Sequence, residues 1–379
     1  MTESIWITGI GLASSLGEGP EVHRAALAGG RPVVDDVSFA PYPVHPMPAL
    51  DLDRQIPKRG DQRQMEPWQR LGTHAAGLAL DHAGARALVA DMHLVVAAGG
   101  GERDTALDEA ICAELAALPP AEAGPCLNER LASGLRPTLF LAQLSNLLAG
   151  NISIVHGVTG SSRTLMGEEE AGADAVRIAA ARLAEGRSGI ALVGGAYAAG
   201  RWDMLLLYAA SGQLWRGPWT PVAARQAAGG GLVTGTAAAF LVLETESHAR
   251  ARGAAAIARL GPVRTGAARR RGTDTAEASA AALAAGLPLR PGYAVMSGAT
   301  GITAPTAAEA AFLAGLRAAG PEQGPVRHTA DLIGHAIEAA FPANLALAAL
   351  AVQAGAAPQV LVTGFGAWRG EALALVEPA

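Results

Sequence analysis

Short, almost wholly apolar runs recur along this chain, and longer alanine-rich segments with helical spacing alternate with them. Ile5–Thr8, His93–Ala97, Gly189–Gly194, Ala238–Glu244, Tyr293–Ser297, Val360–Gly364 and Ala372–Val376 read as strands. Pro67–Ala85, Thr138–Asn151, Glu168–Glu185, Thr275–Ala285, Ala307–Ala319 and Ile333–Ala354 read as helices. A strand with one wet face alternates apolar and polar residues. These do not, so both faces must be covered by helices, and the chain is an α/β protein with internal sheets. Two zones fall outside the pattern: Asp35–Gln64, rich in proline and charge, and Leu118–Arg136, rich in proline and glycine, both read as excursions over the surface.

At 379 residues the chain exceeds one typical domain, which points to two closely packed halves. Only 17% of residues are charged, against about 25% in ordinary soluble proteins. A chain so short of charge hides much of its surface, in a thick layered core or against a partner. Abundant alanine and glycine fit helices lying close to sheets, and fit a GC-rich genome equally well. The net charge of −5 supplies no basic field for nucleic acid. Cys112 and Cys126 form neither a C-x-x-C pair nor a disulfide framework, as expected in a reducing compartment. The start "MTESIWITG" lacks the basic and long apolar regions of a secretory signal, and Phe341–Ala351 is too short to span a membrane. The expectation is a cytoplasmic protein.

Several familiar motifs fail on inspection. "TGIG" at Thr8–Gly11 follows a strand as a dinucleotide-binding turn does, yet Ser14 replaces the third glycine and no acidic residue closes a second strand. The nine histidines show no metal-ligand spacing, and G-x-S-x-G is absent, so neither a metal nor a cofactor is expected. The basic run Arg264–Thr275 reads as a solvated loop, or as a docking spot for an acidic partner.

The stretch "TLMGEEEAGADA" (Thr164–Ala175) sets three glutamates at a strand-to-helix turn. Acidic residues in a first helical turn interact favourably with the helix dipole, by about 0.3–1 kcal/mol each. The same kind of turn is also where enzymes place a nucleophile, because its free N–H groups depress a thiol pKa and bind an oxyanion. Both readings stand on local grounds.

The wider sequence resembles a β-ketoacyl-acyl-carrier-protein synthase, the condensing enzyme of fatty-acid and polyketide assembly. The resemblance is carried in family order by "IWITGIGLASSLG", "IPKRGDQRQMEPWQRLGTHAAGLALDHAG", "LRPTLFLAQLSNLLAGNISIVHGVTGSS", "EEEAGADAVRIAAARLAEGRSGIALVGGAY", "GGGLVTGTAAAFLVLETESHARARGA" and "TADLIGHAIEAAF". It implies the thiolase fold, two similar halves in a five-layer αβαβα sandwich, here 1–245 and 246–379, dimeric across a large interface. The family's nucleophilic cysteine stands three residues before a helix-start glycine. That glycine is Gly172, so the resemblance puts Glu169 in the nucleophile's place. It likewise puts Gly298 at the first catalytic histidine, Ala330 at the catalytic lysine and His335 at the second histidine, the one group retained. "TGFGAW" partly keeps the C-terminal glycine-rich turn, and Thr236 replaces the acidic residue of the mid-chain pattern.

Condensation needs a thiolate acyl acceptor and donors for an enolate. A carboxylate attacking a thioester would give a reactive mixed anhydride, and losing one oxyanion donor costs roughly 3–4 kcal/mol. A chain lacking nucleophile, one imidazole and lysine is expected to be inactive alone. The resemblance then implies a chain-length factor, pairing with a catalytically complete ketosynthase and shaping the tunnel for a chain held on an acyl carrier protein. The expected contact region is Glu114–Ser145 with the strand before Glu169, and Leu139, Phe140, Leu144 and Leu147 are tunnel-facing or contact candidates, or ordinary helix core. Aromatic polyketide factors commonly carry glutamine where Glu169 stands, which points to the polyene or aryl polyene branch. The alternatives are a malonyl-carrier-protein decarboxylase that primes the pathway, and a regulatory homodimer.

Overall fold

The computed structural model describes residues 3–379 except 102, 138 and 140–142. Ten strands carry the architecture: β1 (Ile5–Ser14), β2 (His93–Ala97), β3 (Ser162–Leu165), β4 (Ile190–Tyr197), β5 (Ala237–Thr245), β6 (Ala258–Gly266), β7 (Tyr293–Ser297), β8 (Gln323–His328), β9 (Val360–Phe365) and β10 (Glu371–Glu377). Their spatial order is β8-β7-β9-β10-β6-β1-β5-β4-β2-β3. The first five and the last five each follow the same order, third–second–fourth–fifth–first, and the two first strands join antiparallel through Ile5–Ile7 and Ala258–Leu260. The chain is thus one five-strand plan executed twice.

Three apolar cores separate five layers. On one outside, α1 (Pro67–His82) and α2 (Leu147–His156) pack through Trp68, Leu71 and Ile152 onto Leu94, Val96, Leu192 and Phe240. On the other, α4 (Ala276–Ala284) and α5 (Thr303–Ala319) pack through Ala280, Phe312 and Leu313 onto Val295, Leu361 and Leu373. Between the sheets lie α3 (Glu168–Ala184) and α6 (Ala340–Gln353), against Val95, Val193, Leu241, Val362 and Ala374. Leu94 and Val95 face different cores, which is why the strand reads as unbroken apolar sequence. An α/β five-layer sandwich is therefore observed.

Small residues set the spacing. Gly9 replaces a side chain that would press on the Ala79 carbonyl, and Gly11 one that would enter the Ala75 backbone. "TGIG" is a close-approach surface for α1. α6 is apolar all round because it is buried all round, with Phe341, Leu345, Leu347 and Leu350 all inside.

The two sheet edges differ. β3 is half exposed, and Met166 just beyond it is 65% exposed. β8 carries Pro325 within its span, a residue that cannot donate to another strand.

Four expectations need correction. Leu118–Arg136 is not irregular: Pro120–Gly134 is an α-helix, started by Pro120 at its first position, and none of its residues is buried. It pairs with helix Thr105–Ala116, of which only Ile111 is buried. The segment Ile333–Ala354 is not one helix, since Gly334 (φ 69°) and a 3-10 turn at Ile337–Ala339 interrupt it before α6. Thr138–Asn151 does not run as one helix either; α2 begins only at Leu147, and part of the segment lies outside the described residues. β6 and β8 were not read as strands because arginine, proline and glycine interrupt their apolar pattern.

Among the described residues, no helix is long and apolar enough to cross a membrane, and no group of three or more histidine, cysteine or acidic side chains could hold a metal.

Candidate functional site

The centre of the molecule is built from matching positions of the two halves. β3 turns into α3 through Gly167 (φ 140°) and Glu168 (φ 51°). In the second half, Ile337 (φ 42°) precedes α6 in the same way. A non-glycine residue in the left-handed region is uncommon, and these two make the sharp entries that aim both helix starts at one spot.

The three glutamates divide there. Glu168 and Glu170 turn outward, 3.9 and 3.6 Å from the Arg369 guanidinium. Glu169 turns inward and is 8% exposed. Its Oε1 accepts from Nε2 of His335 at 2.9 Å and from the backbone N–H of Ala367 at 3.2 Å. His335 is fixed in turn by its own backbone, whose N–H donates to the Val233 carbonyl at 2.9 Å and whose carbonyl accepts from Gly235 at 2.9 Å. The acidic cluster is therefore partly a helix-start charge group and partly a core residue.

Little space remains beside the pair. A cavity of about 10 Å³, lined by Glu169, Gly298, His335, Phe341, Asn344 and Thr363, is the size of one water. The Gly298 N–H donates to Thr363 Oγ1 at 3.0 Å, and a Cβ at 298 would collide with the Thr363 carbonyl oxygen. Thr363 Oγ1 also donates to the Glu309 carboxylate, which accepts from Ser297 Oγ at 3.0 Å. Complete burial pushes the Glu309 carboxyl up to about 7, against the opposing effect of these donors. Ala330 stands apart from the pair, 2% exposed in an apolar cluster with Val222 and Ala299.

Sequence reasoning overlooked three groups here. Arg270, from the basic run, donates to the carbonyls of Gly366 (2.8 Å) and Ala367 (3.0 Å) and to Glu371 (3.2 Å). It holds the C-terminal turn that supplies an N–H to Glu169, so this part of the run is no solvated loop. Tyr208 stacks on Trp368, with centroids 4.9 Å apart and planes 14° apart; burial, with the Glu169 charge behind it, raises its pKa. Glu338 is the third. It is 5% exposed and opens on a second cavity of about 120 Å³ with Trp68, Gly99, Tyr197, Arg201 and Asp203. Burial, reinforced by the Glu169 charge and opposed by Arg201, pushes its carboxyl up to about 7. The signal was present in "GHAIEAAF", where an acidic residue stands in a largely apolar run.

The tunnel candidates scatter. Leu139 is buried and lines a surface pocket with Leu131, Leu135 and Arg136. Leu144 is 46% exposed and Leu147 half-buried, while Phe140 lies outside the described residues.

Residues 2–249 match the family model for the beta-ketoacyl synthase N-terminal domain. The chain belongs to the β-ketoacyl synthase family. No curated protein matches the sequence. Among solved structures, the ishigamide ketosynthase/chain length factor is similar over 100% of both chains, with a TM-score of 0.81 and 20% identity. A type II PKS acyl-carrier protein in complex with its ketosynthase bound to the hexaketide (AntDE:AntF) gives 0.77 and 16%, again over 100% of both chains. A beta-ketoacyl synthase from Burkholderia phymatum STM815 gives 0.77 and 18% at the same coverage. At these identities the likeness is one of fold, and it covers the whole β-ketoacyl synthase sandwich, the thiolase fold.

Proposed function

We propose that this chain is a non-catalytic chain-length factor, which pairs with a catalytically complete ketosynthase and forms part of the wall of its acyl tunnel. The observation that carries the reading is the Glu169–His335 contact. A carboxylate stands at the helix start where this family's chemistry calls for a thiolate, and it takes both the retained imidazole and a backbone N–H that an oxyanion would need. About 10 Å³ of free space leaves no room for an acyl group.

The surface supports a partner. β2, β3 and β4 run parallel, so their carboxyl ends lie on one side of the sheet. Met166 (65% exposed) follows the half-exposed β3 there, and Leu206 (64%) and Leu207 (51%), on the helix Trp202–Ala210 that follows β4, also show apolar side chains to solvent. Apolar groups at the carboxyl end of an unpaired edge suit a large subunit contact. The exposed helix pair Thr105–Ala116 and Pro120–Gly134, with Leu139, Leu144 and Leu147, extends the proposed contact region. The acyl carrier protein docks mainly on the partner. Glutamate rather than glutamine at 169 favours the polyene or aryl polyene branch of type II polyketide assembly.

Co-expression with a catalytically complete ketosynthase tests this. We expect a one-to-one complex that extends carrier-bound chains, and an inert single chain. Condensation by the lone chain on acylated carriers, or failure to co-purify, overturns the reading. Acetyl formation from malonyl-carrier protein by the lone chain would establish the decarboxylase instead, a reaction that Gly298 disfavours by removing an enolate donor.

A further inference from the structure

At the end of the sheet remote from β3, an open groove of about 660 Å³ lies between α5, the short helix Val222–Ala227 and the edge strand β8. Its volume falls in the range of small-molecule sites. Val222, Leu313 and Val326 form an apolar floor, with alanines on both helix walls. Thr306, Ala310, Leu313 and Arg317 line it from α5 at intervals of three or four residues, which puts them on one helical face. At 1.5 Å per residue that face is about 16 Å long.

The two ends differ in charge. Arg317 is exposed at the C-terminal end of α5 and forms no ion pair with a described residue. At the other end His328 is held by its Nδ1, 2.9 Å from Ser297 Oγ. Burial lowers the His328 pKa, and Glu309, whose carboxyl is pushed up to about 7, lines the same end, so that end offers no cation. The groove therefore combines a long apolar wall with one unpaired cation at its mouth. A guanidinium in that setting recognises a carboxylate through charge-assisted hydrogen bonds.

We propose that this groove binds a medium-chain aliphatic monocarboxylate, its headgroup on Arg317 and its chain along α5. The site is independent of the subunit pairing, since β8 and β3 are opposite edges of the sheet.

Calorimetric titration of the full chain with dodecanoate, below its micellar concentration, tests the proposal. One saturable site is expected. Arg317→Glu should weaken binding at least tenfold, and Ala310→Trp, which fills the groove from an exposed position, should abolish it with the melting temperature unchanged. Dodecyltrimethylammonium should bind at least tenfold more weakly than dodecanoate. Absence of saturable binding, undiminished binding by Ala310→Trp, or equal affinity for the two headgroups overturns it.

Discussion

His335 and Glu169 are 166 positions apart in sequence, yet Nε2 and Oε1 meet at 2.9 Å between the two sheets. One residue comes from the entry to α3 and the other from the loop before α6. The contact ties the two halves together at the spot where their helix starts converge.

Removing the acceptor should cost stability. Glu169→Ala leaves the His335 imidazole and the Ala367 N–H buried without a partner, a loss of about 1–3 kcal/mol. Glu169→Gln keeps an acceptor oxygen in place and should cost less than half as much. Urea unfolding of the two variants checks this; equal losses would show that the charge, and not the acceptor, holds the contact.

A thiol placed at position 169 should not by itself confer condensation. Glu169→Cys leaves Gly298 and Ala330 unchanged, and a side chain at 298 meets the Thr363 carbonyl. Gly298→His is expected to destabilise the fold by about 1–3 kcal/mol through overpacking. Assays with acyl- and malonyl-carrier substrates should find no condensation by Glu169→Cys alone.

Glu338 should make stability fall with rising pH. Its folded carboxyl is pushed up to about 7 from 4.5. The unfolded chain releases this proton first, so stability drops between about 4.5 and 7 and levels off above. The full effect is of order 3 kcal/mol. Glu338→Gln should melt higher than the wild type at pH 8 and within a degree of it near pH 4.5, as read by circular dichroism.

Charge placed beside β3 should block assembly. Met166→Asp alters a side chain 65% exposed in the single chain. Its melting point should stay within 2 °C of the wild type, while co-purification with the ketosynthase drops at least tenfold.

Much of the architecture was legible because burial on both faces leaves a simple mark. His93–Ala97 and Tyr293–Ser297 were found residue for residue, since nothing charged or turn-forming interrupts Leu94–Ala97 or Tyr293–Met296. β6 escaped because "ARLGPVRTG" mixes arginine, glycine and proline, and its pairing with β10 and β1 makes it a strand. Pro120–Gly134 escaped for the opposite reason: it buries nothing, so no apolar face announces a helix. At the site, resemblance singled out positions 169, 298, 330 and 335; the structure gathers Glu169, Gly298 and His335 around one small cavity and leaves Ala330 apart, and the Glu169–His335 contact was open until the geometry gave it. Arg270 was not reachable, and Glu338 showed only as a lone charge in an apolar run. Their roles depend on which carbonyls and cavities tertiary packing brings alongside, and local spacing carries no trace of that.

Pro325 interrupts one end of the sheet, whereas β3 at the other carries no proline. Strand-to-strand growth can therefore proceed in a single direction. A neighbour adding at β3 would leave, at the far edge, a strand weakened for further pairing by Pro325. One imino acid at position 325 thus withholds a donor where the rest of that edge could pair.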